Sequence, residues 1–136
     1  MVTDEVRDGK RIAQLLSSEI HGHERGCLGT LSVVDADTDV EPTEFGAFAY
    51  GVASQEGDND EEERIAEVFV HPDRAHIEFI EGLEATTETA QREGLRVRPK
   101  AVDPPRTLVF LENAAEVKRA LRVVRTVAEQ RRENAG

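Results

Sequence analysis

The chain has 136 residues, a length that fits one domain around one core. Its 28 acidic and 17 basic residues leave a net charge of −11, with an apolar share of 38%. Cys27 is the only cysteine, which excludes an intrachain disulfide, and no apolar run approaches the roughly 20 residues a membrane helix needs.

At this size, folding buries roughly 68% of the surface that the unfolded chain exposes, enough for a stable fold without staples. Residues 4–21 read as a helix. Thr3 is its predicted N-cap, Asp4 and Glu5 suit the helix dipole, and Ile12, Leu15, Leu16 and Ile20 form one apolar stripe. Gly22 is the expected stop, and Gly9 fits poorly within the first turns. Residues 28–34 read as a strand. An acidic loop follows over 35–45, carrying Asp35, Asp37, Asp39, Glu41 and Glu44. Residues 46–53 form the next strand, with Phe48, Tyr50 and Val52 on one face. The opposite face is alanine and glycine, a small surface that suits close packing against a helix.

A second acidic loop is expected over 55–63. Strands over 64–70 and 75–80 then form a hairpin around the turn His71-Pro72-Asp73-Arg74, where proline presets the backbone angle. In the second of these strands Ala75, Ile77 and Phe79 alternate with His76 and Glu78. His71 and His76, at the turn, read as exposed. A short helix is predicted over 83–93, stopped by Gly94. Residues 95–100 are extended but polar, and 107–111 form a strand. Asn113 reads as the cap of a final helix, with Glu116 completing a capping box. That helix carries Val117, Leu121, Val124 and Ala128 on one face, and a frayed tail is expected over 130–136. The implied fold is α+β: a mainly antiparallel sheet of about five strands with two or three helices on one face.

Charge is segregated along the chain. Residues 1–90 hold 22 acids and 6 bases, a net of −16; residues 91–136 hold 6 acids and 11 bases, a net of +5. Arg96, Arg98 and Lys100 alternate in the extended segment, so they point the same way. Lys118, Arg122 and Arg125 share a flank of the last helix. If the two sets converge, they form a cationic patch for an anionic ligand: a phosphate, a nucleotide or a nucleic-acid backbone. The alternative is that each pairs with the protein's own acids. No aromatic residues interleave with the set for base stacking, so nucleic acid is not favoured.

His21, His23 and Cys27 offer zinc-type ligands, but their spacing matches no closed structural site. A calcium loop starting at Asp35 is excluded, because its sixth and twelfth places hold Val40 and Gly46. Phosphate-loop, dinucleotide-binding, hydrolase-elbow and zinc-protease motifs are all absent from the sequence. No nucleophile, base and orienting group assemble, so the reading leans against an enzyme and predicts no cofactor.

The layout from Glu67 to Ala128 resembles the small YdhG-like domains. It runs through a strand, the turn His71–Arg74, a strand ending Phe79-Ile80-Glu81-Gly82, a short helix, Arg-Thr-Leu-Val-Phe-Leu and a closing helix. Some of those domains are described as frataxin-like iron chaperones, which implies an acidic iron-binding surface; no specific ligand residue carries over. The whole chain also resembles a haloarchaeal uncharacterised protein family. Its composition agrees, with high acid content and only three lysines, Lys10, Lys100 and Lys118. About 1 M salt shortens the screening length to about 3 Å and removes the self-repulsion of so acidic a chain. The setting expected is a salt-rich cytoplasm, since acids occupy the N-terminus where a secretory signal carries bases. Open sheet edges leave homodimerisation available.

Overall fold

A computed structural model describes residues 8–22, 31–55 and 62–135. Helix α1 spans Gly9–Gly22. Four strands follow: β1 (Leu31–Val34), β2 (Ala47–Gln55), β3 (Glu62–Val70) and β4 (Ala75–Phe79). Then come α2 (Leu83–Arg92), β5 (Arg96–Lys100) and β6 (Arg106–Leu111), and a 3-10 turn over Ala114–Glu116 leads into α3 (Val117–Ala135). Thr3, most of the second acidic loop, His23 and Cys27 lie outside the described residues.

The six strands form one antiparallel sheet in the order β1-β2-β3-β4-β6-β5. The strand beyond the expected five is β5, read from sequence only as extended. It lies at the sheet edge and pairs on one side with β6. An edge position tolerates both its polar sequence and Pro99, which cannot donate to a ladder.

Period-two patterning sorts the sheet into two faces. Ala75, Ile77 and Phe79 of β4 pair in register with Val70, Val68 and Ala66 of β3 and with Leu111, Val109 and Thr107 of β6. Their apolar side chains join Ile12, Leu16 and Ile20 of α1, Ala90 of α2, and Val123, Val124 and Val127 of α3 in one buried core. The helices therefore cover this face and leave the other open. Among the described residues, no helix is long and apolar enough to cross a membrane.

The face assignment expected for β2 is reversed. Register shifts fall between Phe48 and Tyr50 and between Val52 and Ala53. The extra residue at the first shift turns Phe48 onto the open face, where it pairs with Phe69. Tyr50 and Val52 go to the core, and Gly51 lies beneath Arg64 on the open side. The large side chains, not the small ones, meet the helices. The Tyr50 hydroxyl donates a buried hydrogen bond of 2.7 Å to the Ala13 carbonyl of α1. Burial raises the Tyr50 pKa far above its usual value, so it stays a donor. Tyr50→Phe is expected to cost about 1 kcal/mol in denaturant unfolding.

Helix ends also differ from expectation. Asp8 Oδ1 accepts the Arg11 N–H at 3.2 Å, so Asp8 does the capping at the first described turn of α1. Asn113 makes no side-chain cap bond. Glu116 Oε1 instead accepts the Glu112 N–H at 2.7 Å. Helix α3 runs to Ala135.

Candidate functional site

The open face carries two cross-strand rows. The first runs Phe48 (β2), Phe69 (β3), His76 (β4), Phe110 (β6) and Arg96 (β5), each in register with the next. Phe48 meets Phe69 edge-on with ring centroids 5.9 Å apart, and Phe69 stacks on His76 at 5.0 Å. Such contacts are the unit of sheet stabilisation. The Arg74 and Arg96 guanidiniums lie over the Phe110 ring, 4.7 and 5.8 Å from its centroid, in cation–π geometry.

The second row places Glu67 of β3 directly opposite Glu78 of β4. Two carboxylates in that relation repel each other and require cations between them. Arg106 Nη1 supplies the bridge, 2.7 Å from Glu67 and 3.1 Å from Glu78. Lys100 Nζ reaches both Glu78 oxygens at 3.1 and 3.2 Å. Arg64 donates to Glu67 at 2.7 Å and pairs with Asp35 through its other terminal nitrogen.

His76 and Glu78 are only 3% exposed and His71 4%. This corrects the expectation of exposed histidines. The long side chains of the neighbouring strands and the β1–β2 connection bury them, and alternation alone does not reveal such a cover. Burial pushes the Glu78 carboxyl up, but the hydrogen bonds from His76, Lys100 and Arg106 outweigh it and hold its pKa below the ordinary value. Glu67 follows the same pattern: burial is opposed and outweighed by Arg106 and Arg64. For His76, burial prevails over the pull of Glu78 and lowers the pKa, favouring neutral imidazole.

The sequence-predicted cations divide between the two sides of the sheet. Arg96, Arg98 and Lys100 stand on the open face, in register with Phe110, Leu108 and Arg106. Lys118, Arg122 and Arg125 lie on the exposed side of α3, in the helix layer. The two sets do not converge. Arg122 is paired with Glu93 at 2.7 Å. On the open face Lys100 is paired with Glu78. Arg74, Arg96 and Arg98 meet no carboxylate among the described residues. Arg74, which sequence reading passed over, joins the set through the hairpin turn. An aromatic does accompany these cations, contrary to expectation, but Phe110 is only 5% exposed and offers no free ring for a base.

His21 is exposed at the end of α1. Among the described residues, no group of three His, Cys, Asp or Glu side chains is placed to hold a metal ion. A cavity of about 430 Å³ opens beside the hairpin turn, lined by Glu44, His71, Asp73, Arg74 and Glu112. Its three carboxylates oppose an anion inside it; Arg74 stands at its border, with its guanidinium over Phe110 on the β6 side.

The sequence profile of a family of unknown function, DUF7993, matches residues 1–136. No curated protein and no solved structure matches the chain.

Proposed function

The chain belongs to DUF7993, a family of unknown function, and we propose that it is a non-catalytic module whose open sheet face binds an anionic, phosphate-bearing partner. One observation carries this reading. The other arginine and lysine side chains of that face, Arg64, Lys100 and Arg106, are consumed by carboxylates. Among the described residues, Arg74, Arg96 and Arg98 have none, and Phe110 holds two of their guanidiniums in place. A guanidinium held in this way retains its bidentate fork for an incoming oxyanion.

The setting we infer is a salt-rich cytoplasm, in which a net charge of −11 is screened. Long-range attraction is nearly absent there, and binding works by contact. Paired guanidiniums suit that regime better than a diffuse positive field. Base stacking plays no part, so affinity follows phosphate content rather than base identity.

The test is calorimetric titration with inorganic phosphate, nucleotides, RNA and DNA in about 2 M KCl, well inside strong screening. The wild type binds at least one phosphate-bearing ligand, and Arg96→Ala with Arg98→Ala weakens it about tenfold or more, since each lost charged hydrogen bond is worth about 1.5–3 kcal/mol. Binding of none of them, or unchanged binding by the double variant, overturns the proposal.

A further inference from the structure

His71 and His76 form an unbroken hydrogen-bonded chain between two acceptors. At one end the Glu44 backbone carbonyl lies 2.9 Å from His71 Nδ1. At the other the Glu78 carboxylate lies 3.0 Å from His76 Nε2. Between them, His71 Nε2 and His76 Nδ1 are 2.7 Å apart.

Three contacts need three protons. A carbonyl oxygen only accepts, so one proton sits on His71 Nδ1. Glu78 already accepts from Lys100 and Arg106, which keeps it ionised, so a second sits on His76 Nε2. The middle contact requires a third, and two neutral imidazoles carry only two. Without it, two lone pairs face each other at 2.7 Å, or the Glu44 carbonyl loses its donor.

The geometry points to a buried binding site for one proton: the His71–His76 pair holds three ring protons and a single positive charge, countered by Glu78. The third proton lies in the His71 Nε2–His76 Nδ1 contact, and the charge belongs to the pair. His71 Nδ1 then donates to the Glu44 carbonyl, His76 Nε2 donates to Glu78, and the third proton closes the contact between the rings.

The surroundings support one charge. Glu78 comes from the same strand as His76, Glu67 from β3, Lys100 from β5 and Arg106 from β6. Glu44, Asp73, Arg74 and Glu112 face His71 across the cavity. The carboxylates Glu44, Glu67, Asp73, Glu78 and Glu112 favour the charge, and Arg74, Lys100 and Arg106 oppose it. The β1–β2 connection closes over the pair so tightly that a Cβ on Gly46 would lie 3.0 Å from His76 Cε1 and 3.1 Å from His71 Nε2. That connection is held by the His71-to-Glu44 bond and by the Thr43 N–H donating to Val70. Its seating is thus coupled to the proton: losing it breaks either the His71–His76 contact beneath the connection or the His71-to-Glu44 bond that holds it. The inference stands whether or not the open face binds an anion.

The experiment is imidazole ¹H–¹⁵N NMR on the full chain with labelled histidine, from about pH 6 to pH 8, the range in which histidine charge changes. Single-histidine variants assign the signals. The expected spectrum at the acid end shows three ring N–H groups across the pair, His71 Nδ1–H and His76 Nε2–H among them. Glu78→Gln keeps an acceptor for His76 and removes the counter-charge, so it is expected to lose the third proton. One N–H on each ring throughout that range overturns the proposal, as do three that persist in a folded Glu78→Gln protein. If Glu78→Gln does not fold, the wild-type spectrum alone decides.

Discussion

Glu78→Ala is expected to destabilise the fold by about 3 kcal/mol, the loss typical of removing one partner from a buried ion cluster. The carboxylate is 3% exposed and accepts from His76, Lys100 and Arg106. Alanine leaves all three donors without it and leaves Glu67 with a surplus of cations. A loss of this size lowers the thermal midpoint by about 10 °C in a domain of this length. The pH dependence has a definite sign. Glu67 and Glu78 both titrate below the ordinary glutamate value of 4.5 when folded. The folded state therefore binds fewer protons than the unfolded state in acid. Their stabilisation is complete above pH 4.5 and is lost as the pH falls below it, through the depressed folded values. The acid limb of unfolding is shallower in Glu78→Ala. A change under about 0.5 kcal/mol, the range of ordinary surface substitutions, contradicts the account.

Gly9→Ala has a comparable effect with the opposite sign from intuition. At an exposed helix position, alanine for glycine stabilises by up to about 1 kcal/mol. Here a Cβ would lie 1.9 Å from the His71 carbonyl oxygen and 2.2 Å from that of Arg74. Both are backbone atoms of the β3–β4 turn, which is closed by the His71 N–H donating to Arg74 O at 2.8 Å. The helix start or the turn must move, at a cost of about 1–3 kcal/mol for overpacking. Gly51→Ala provides the contrast, because its nearest obstacle at 2.7 Å is the flexible Arg64 side chain. Equilibrium unfolding of the two variants should show the larger loss at Gly9. A stabilised Gly9→Ala protein would mean that α1 does not touch the turn.

Much of the fold was legible because periodicity reports burial. The stripe Ile12, Leu16 and Ile20 and the alternation Ala75, Ile77, Phe79 both point into the core. The failures have local causes. One extra residue in β2 reverses a face, and nothing in Phe48-Ala49-Tyr50 announces it. An edge strand with proline looks like a linker until its partner is known. The site was half legible. Alternation placed Arg96, Arg98 and Lys100 together, but whether they join α3 depends on which face of the sheet each occupies, a property of topology. The sequence predicts His71 and His76 as exposed because the cover over the His71–His76–Glu78 chain comes from distant elements: Lys100, Arg106 and the Glu44–Gly46 connection.

The central functional claim is a location: anions meet the open sheet face, not the helix layer. Backbone amide NMR of the full chain during titration with inorganic phosphate in about 2 M KCl, where screening leaves only contact binding, tests it most directly. The account predicts that saturable shifts concentrate at Arg74, Arg96, Arg98 and Phe110, with Lys118, Arg122 and Arg125 unmoved. Shifts confined to α3, or none that saturate, would contradict it.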